Sequence, residues 1–329
     1  MPFVDLPKSG LRQYYAINPH CETARMIFDG PEPPSRTAID PAKPVLVLTH
    51  AGTSSSASFI HQFRDARLAA SLNLVAFDSR YYGRTGNAEK LPRYQDLEER
   101  ADELLEAIDA VVGDRPFSWL GESFVGAHTG AYVVAKRPQQ VKAMILISPS
   151  FVEDPVEMCE VLENEWAPFC AANKNGQGDG TGRIPDGAMD IVRDYFFSGS
   201  THEPERQQAF IDQYQFQHGP GEDMYKINQL LHWFRRKSPP PAVFEAIRCP
   251  TLLLGGTKDQ TVNPADALKQ WYDLLVNVPA EDKRIERIVD GTHFLATTDS
   301  NLVNRFLLAF LQRYNLALPL SPAPYSPQP

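Results

Sequence analysis

The sequence has no long apolar run, few cysteines and no excess of positive charge. A membrane-spanning helix needs about 20 consecutive apolar residues, and no segment approaches that length. The net charge of −9 argues against a general affinity for nucleic acid or for anionic membranes. Residues 1–15 contain no apolar core of the kind found in secretory signals, so we expect a cytoplasmic protein without membrane insertion.

Metal and cofactor motifs are also missing from the sequence. The four cysteines and eight histidines show none of the spacings typical of a metal site. A bridge between Cys159 and Cys170 is conceivable, but a reducing compartment would leave the cysteines as free thiols. No glycine-rich loop of the kind that holds a phosphate precedes a helix. The sequence therefore predicts no metal and no organic cofactor.

The sequence does contain a regular alternation of strand and helix patterns. Apolar runs typical of buried strands lie at Val45–His50, Leu74–Asp78, Phe117–Gly121 and Met144–Ser148. The clearest helical pattern, residues 96–113, has apolar residues at three- and four-residue spacing and ends at a glycine. Strands that are apolar throughout are covered by helices on both faces, so the pattern predicts an α/β fold with a parallel sheet. Ligands of such sheets bind at the carboxyl ends of the strands.

Ser123 lies where one of these strands meets a helix. The segment 121–126 (GESFVG) joins the apolar run before it to a helical pattern over residues 127–137. A sharp strand-to-helix turn exposes a serine hydroxyl, and the N–H groups that open the helix point toward the same place. The position favours a nucleophile, although an ordinary strand–loop–helix junction would also hold a serine.

A serine nucleophile needs a base and an acid that orients the base. Residues 251–257 (TLLLGGT) are typical of a short buried strand and are soon followed by Asp259. Residues 284–289 alternate polar and apolar side chains, and a turn then leads to His293. We predict that His293 is the general base and that Asp259 orients it. Asp154 and Glu153 are the alternative acids.

The chain order Ser123, Asp259, His293, with each residue just past a strand, resembles that of the α/β-hydrolase superfamily. The resemblance extends from about Pro44 to Leu311. Four further segments are similar to that family: a strand ending in His-Ala-Gly (45–52), a strand with a D-x-R loop (73–85), the strand before the cap (141–149), and the histidine loop with the last helix (291–311). The resemblance implies an α/β-hydrolase fold, with a mostly parallel central sheet flanked by helices. It also implies a helical cap inserted before the strand that carries the acid.

The resemblance assigns the oxyanion hole as well. It implies that the backbone amides of Gly52 and Phe124 are the two donors. Three positions depart from the family pattern, because Ala51, Tyr81 and Val125 stand where the family has glycine. Glycine permits close approach of the backbone, and a side chain hinders it. Ala51 therefore affects the local geometry of the oxyanion hole, and Val125 that of the elbow.

The strand and helix alternation stops between residues 150 and 248, where we expect the cap. This segment is rich in aromatic residues and contains a flexible glycine-rich stretch at residues 173–182. The aromatics either line an apolar pocket over Ser123 or hold the cap together. The candidates for the pocket are Trp166, Phe197, Tyr214 and Trp233. The expected organisation is a hydrolase core over residues 1–149 and 249–318, the cap over 150–248, and a flexible tail over 319–329.

These features predict a serine hydrolase that cleaves an ester or lactone bond of a medium-sized apolar substrate through an acyl-enzyme. Carbon–carbon bond hydrolysis or lysis, or acyl transfer, on a polyketide-like compound is the alternative, because the same triad serves those reactions. A ligand receptor that retains the triad is a further alternative. The expected partner is a small molecule, and the expected state is a monomer or homodimer.

Overall fold

The computed structural model describes a central sheet and the helices that pack on it. The described residues are 3–19, 38–52, 54–85, 91, 93–153, 160, 190, 193–194, 197, 207–208, 211–212, 229, 232–233, 235, 237–261 and 264–319. Most of the predicted cap and almost all of the predicted tail lie outside these residues, as do Cys21, Cys159 and Cys170. Cys249 is buried and has a free thiol.

An eight-stranded sheet forms the centre of the fold, with the strand order β1-β2-β4-β3-β5-β6-β7-β8. The strands are β1 (Phe3–Leu6), β2 (Leu11–Ile17), β3 (Val45–Thr49), β4 (Asn73–Phe77), β5 (Phe117–Glu122), β6 (Val141–Ile147), β7 (Thr251–Gly256) and β8 (Lys283–Ile288). Strand β2 pairs antiparallel with β1 and β4, and all other neighbouring strands are parallel. The carboxyl ends of β3 to β8 therefore lie along one edge of the sheet.

Helices cover both faces of this sheet. Those in the described part are α1 (Ile60–Phe63), α2 (Ala66–Ser71), α3 (Leu97–Val111), α4 (Ser123–Lys136), α5 (Pro241–Ala246), α6 (Pro264–Leu274), α7 (Leu295–Thr298) and α8 (Ser300–Arg313), with short 3₁₀ turns at Ser56–Phe59, Gly83–Thr85 and Ala280–Asp282. Helix α3 begins with a capping box, in which the Glu99 side chain accepts from the Asp96 N–H at 2.9 Å. No helix in the described part is both long and apolar enough to cross a bilayer.

Two apolar layers explain why the central strands are hydrophobic throughout. Trp119 of β5 packs in the layer that also contains side chains of α3, α4 and α6. Its neighbour Leu120 packs in the opposite layer, with side chains of α1, α2 and α8. Both residues are fully buried, because successive side chains of a strand point to opposite faces and both faces are covered.

The structure confirms the predicted parallel strands, with small differences at their ends. Helix α4 begins at Ser123 itself and not at residue 127. The sequence did not predict helix α6 or the antiparallel pairing of β1 and β2 at the sheet edge. Helix α5, at the carboxyl end of the predicted cap range, packs on the core through Phe244, whose ring centre lies 5.8 Å from that of Trp271.

Candidate active site

The three residues predicted as a triad come together at the carboxyl edge of the sheet. Ser123 Oγ lies 2.9 Å from His293 Nε2, and His293 Nδ1 lies 2.8 Å from Asp259 Oδ2. The two side chains His293 and Asp259 are 2% and 0% exposed, so water does not compete for this bond. Because the Asp259 carboxylate accepts, Nδ1 carries the proton and Nε2 can accept from the serine hydroxyl.

The Asp259 carboxylate is fixed from its other side too. Its Oδ1 accepts a hydrogen bond from the Thr261 N–H at 2.9 Å, so one oxygen binds the loop and the other binds the imidazole. Of the alternative acids, Glu153 is exposed, and Asp154 lies outside the described residues. In the described part, therefore, Asp259 is the carboxylate that contacts His293 directly.

Ser123 occupies a strained turn. It is the first residue of α4 and has a φ of 60°, in the left-handed region. A side chain in that region costs about 1–2 kcal/mol, and a serine held there between a strand and a helix is typical of a nucleophile elbow. The strain aims the hydroxyl at His293 and away from the sheet.

Two glycines allow α4 to start this close to the sheet. A Cβ atom on Gly121 would lie 2.3 Å from the carbonyl oxygen of Gly126. A Cβ atom on Gly126 would lie 2.9 Å from the carbonyl oxygen of Thr49. Val125, by contrast, is fully buried in the apolar layer with α3. Gly126 thus makes the close approach that the family pattern assigns to position 125, and Val125 packs as a core residue.

His50 holds the segment that contains Gly52, a predicted oxyanion donor. Its Nε2 accepts from the Ser79 N–H at 3.1 Å, so Nδ1 carries the proton and donates to the Ala51 carbonyl at 2.7 Å. The C=O and N–H of a trans peptide point in opposite directions, so fixing the Ala51 carbonyl also fixes the direction of the Gly52 N–H. Burial, helped by the charge of Arg100, lowers the pKa of His50 to about 3, and the ring stays neutral.

A buried network behind His50 was not predicted. Arg100 donates to the Ser79 hydroxyl, and its guanidinium lies 5.3 Å from the centre of the Trp233 ring. The Trp233 indole N–H donates to the Gln95 carbonyl at 2.7 Å, and its ring stacks at 6.3 Å on Tyr82. The sequence signal for this network is weak: Arg100 interrupts the apolar stripe of α3.

Two of the four predicted pocket residues lie in the described part. Phe197 is fully buried, with its ring centre 6.0 Å from that of Phe294, the residue after His293. Trp233 is buried in the network behind His50. Trp166 and Tyr214 lie outside the described residues. The pocket role of these aromatics stays a prediction.

No three histidine, cysteine, aspartate or glutamate side chains in the described part of the chain lie close enough together to hold a metal ion.

Comparisons with known proteins agree with this geometry at the level of the fold. No curated protein matches the chain in sequence. Three solved structures resemble it over most of their length. They are an enol-lactonase from Burkholderia xenovorans (TM-score 0.66, 15% identity, 94% of this chain and 100% of that one), a thermophilic esterase from Thermogutta terrifontis (0.63, 15%, 84% and 92%) and a bromoperoxidase from Bacillus anthracis (0.67, 14%, 94% and 99%).

At these identities the likeness establishes the fold, and it confirms the predicted α/β-hydrolase architecture. The family model described as serine aminopeptidase, S33, matches residues 40–300, which span the sheet from before β3 to the start of α8. The chain therefore belongs to the serine aminopeptidase S33 family of α/β-hydrolases.

Proposed function

We propose that this protein is a serine hydrolase that cleaves an ester or lactone bond of a medium-sized apolar substrate. The observation that carries the proposal is the unbroken chain of contacts from Ser123 Oγ through His293 to Asp259, at 2.9 and 2.8 Å. A serine at a strained elbow with a base and an oriented acid is the arrangement that acyl transfer requires.

In the acylation step, Ser123 Oγ attacks the carbonyl carbon of the substrate and its proton passes to His293 Nε2. Asp259 stabilises the imidazolium that forms. The tetrahedral intermediate then collapses, the carbon–oxygen bond to the leaving group breaks, and His293 returns the proton to the leaving oxygen. With a lactone substrate, the alcohol that leaves stays attached to the acyl chain.

Deacylation repeats these steps with water. Water loses a proton to His293 and attacks the acyl carbon, and the bond to Ser123 Oγ breaks as the serine regains a proton. In both steps the amides of Gly52 and Phe124 donate to the oxyanion. Loss of one such donor costs about 3 kcal/mol of transition-state stabilisation, so the hold of His50 on the Ala51–Gly52 peptide is expected to matter for rate.

The choice of an ester or lactone rests on two supports. Similar structures include an enol-lactonase, an esterase and an enzyme that degrades N-acyl homoserine lactones. The side chain that packs edge to face on His293 is aromatic, Phe294, and Phe197 packs tilted on Phe294 in turn. Aromatic walls favour an apolar acyl or ring group.

Labelling with a fluorophosphonate tests the nucleophile. We expect the mass of the intact protein to increase by one phosphonyl group, and Ser123→Ala to abolish the increase. A matched control is Ser148→Ala. Like Ser123, Ser148 is a buried serine just past a strand of the same sheet, and it has a positive φ of 47°. We expect Ser148→Ala to be labelled like the wild type, because a buried serine in a strained turn is not reactive without a base. Labelling that survives in Ser123→Ala would contradict the proposal.

Hydrolysis assays test the bond that is cleaved. We expect turnover of p-nitrophenyl esters and of lactones, with Ser123→Ala and His293→Ala each removing nearly all of it and the double variant adding little. Because the family name describes an aminopeptidase, aminoacyl p-nitroanilides are the informative second substrate. Turnover of the anilides without turnover of any ester would overturn the proposed bond type and leave the nucleophile in place.

A further inference from the structure

Glu122, the residue before the nucleophile, is a buried carboxyl that the proposed mechanism does not use. It is 0% exposed, and neither carboxyl oxygen has a hydrogen-bond partner among the described residues. Burial raises the pKa of Glu122 to about 7. An unpaired carboxyl in an apolar layer costs folding free energy, so a functional role is a reasonable explanation for its presence.

The position of Glu122 places its side chain on the face of the sheet that is covered by α7, the helix after the histidine loop. Glu122 and Leu120 point to the same face of β5, because side chains alternate along a strand. The layer on that face includes residues of the Ser56–Phe59 turn and of α7, which directly follows the histidine loop. Thr297 of α7 and Ser58 of the turn are within 3.5 Å of each other, between Thr297 Oγ1 and the Ser58 carbonyl.

The electrostatics of this space agree with the geometry. The positive charge of His293 lowers the pKa of Glu122 and opposes the effect of burial. The Ser58 hydroxyl donates to the Ser55 carbonyl at 3.0 Å, so the Glu122 oxygens have no hydrogen-bond partner in the described part. His293 in turn contacts Asp259 through Nδ1 and Ser123 through Nε2. The imidazole thus has one carboxylate bonded at Nδ1, and the residue that carries the second carboxyl directly precedes the serine bonded at Nε2.

We propose that Glu122 is a positioning residue for the base: its carboxylate stabilises the imidazolium that forms at His293 when Ser123 loses its proton. The inference rests on the proposed function. Charge–charge attraction is stronger in an apolar layer than in water, so a second carboxylate can act on His293 without touching it. Asp259 fixes the orientation and tautomer of the ring, and Glu122 adds negative charge.

The proposal has a distinct consequence for pH dependence. In the fully active form Glu122 is ionised, and its pKa of about 7 lies within the range in which a rate can be measured. The rate at Ser123 should therefore rise through this range as Glu122 loses its proton. With glutamine at position 122, this contribution to the rise is missing.

The rate of fluorophosphonate labelling at Ser123, measured from pH 5 to 9 by intact-protein mass spectrometry, reads this out without a known substrate. In that reaction Oγ binds phosphorus, fluoride leaves, and the serine proton passes to His293. We expect the wild-type rate to rise with pH around the pKa of Glu122. Glu122→Gln should lack that rise, so its profile depends on one proton fewer. At high pH its rate should be about tenfold lower, because no carboxylate at position 122 stabilises the imidazolium.

Two further variants make the test decisive. Glu103→Gln removes a different buried carboxyl, which lies on α3 and pairs with Arg80, and it should keep the wild-type pH profile. Glu122→Asp keeps a carboxylate at the position. It should keep the rise with pH, and it decides the question if Glu122→Gln does not fold.

The outcomes separate the inference from the proposed function. Identical profiles for wild type and Glu122→Gln, with normal labelling at Ser123, would overturn the role of Glu122 and leave the serine hydrolase in place. Absence of the rise with pH in Glu122→Asp would do the same. Absence of labelling at Ser123 in the wild type would overturn the proposed function, and the role of Glu122 would fall with it.

Discussion

The turn after β5 and the turn after β4 each hold a residue with a side chain in the left-handed region. Ser123 has a φ of 60° and Tyr81 a φ of 73°. Both turns depart from the glycine pattern of the family, but in different ways. After β5, the glycine has moved one position along the chain, to Gly126. After β4, Tyr81 occupies the place of the first glycine.

The difference shows which demand each glycine meets. At the elbow the demand is for space, and it is met wherever the helix touches the sheet, which is at Gly126. After β4 the first position demands only a positive φ, and Tyr81 offsets that strain by burial and by accepting a hydrogen bond from the Leu91 N–H at 2.9 Å. The second position, Gly83, needs both a positive φ and space. Its φ is 53°, and a Cβ atom there would lie 2.1 Å from the Asp78 carboxylate.

His50 links the turn after β4 to the loop after β3, and acid should break that link first. The pKa of His50 falls from an ordinary value near 6.5 to about 3. Its neutral form is thus favoured in the folded state, so this stability is fully present above about pH 6.5 and is lost as the pH falls toward 3. The whole loss is about 5 kcal/mol, from 1.36 kcal/mol per pKa unit.

The comparison of wild type with His50→Asn isolates this effect from the other titrating groups. We expect the difference in unfolding free energy between the two proteins to be largest near pH 7. It should shrink below pH 6.5, measured by urea denaturation at successive pH values. A difference that stays constant from pH 7 to pH 4 would show that His50 does not carry the acid sensitivity.

Val125→Gly restores the family's glycine spacing at the elbow. It tests whether the close approach of helix and sheet requires glycine at position 126 and not at position 125. We expect it to destabilise the fold by about 3 kcal/mol, because it removes a fully buried side chain and places glycine inside a helix. Labelling of Ser123 by a fluorophosphonate should be nearly unchanged. Chemical denaturation and the labelling rate measure the two quantities, and an unaltered stability would mean that Val125 is not part of the core.

Gly126→Ala should lower the labelling rate strongly and the stability less than Val125→Gly does. The added Cβ would meet backbone atoms of Gly121 and Thr49 at about 3 Å, and backbone cannot move aside as a side chain can. We expect a cost of about 2 kcal/mol in unfolding free energy, since overpacking costs about 1–3 kcal/mol. The labelling rate should fall about a hundredfold, because a shift of α4 displaces Ser123. A variant that labels at the wild-type rate would place the critical contact elsewhere.

The succession of strands and site residues along the chain could be predicted from sequence, because it depends on local patterns. Each parallel strand is a short apolar run, and the carboxyl ends of such strands meet at one edge. Ser123, Asp259 and His293 each follow a strand, so the topology alone brings them near one another. The structure places them in hydrogen-bond contact, and their catalytic roles stay a proposal.

The features that the sequence did not reveal depend on packing between distant segments. The pattern G-x-S-x-V-G cannot say which glycine touches the sheet, because that depends on where α4 starts. The full burial of Glu122 depends on segments that are far away along the chain and cover its face of the sheet. Arg100 likewise acquires its role from contacts with Ser79 and Trp233.

Tyr81→Phe probes the other half of the comparison, with the smallest expected effect. The phenol oxygen accepts from the Leu91 N–H at 2.9 Å, while the ring is buried in the apolar layer. Removing the oxygen keeps the ring and the positive φ but leaves that N–H without this acceptor. We expect a loss of about 1 kcal/mol in unfolding free energy, the usual contribution of one hydrogen bond, and an unchanged labelling rate at Ser123.

Tyr81→Gly is the matched variant. It relieves about 1–2 kcal/mol of backbone strain but deletes the buried ring, so we expect it to be less stable than Tyr81→Phe. A Tyr81→Gly protein more stable than wild type would show that strain, and not burial, dominates after β4.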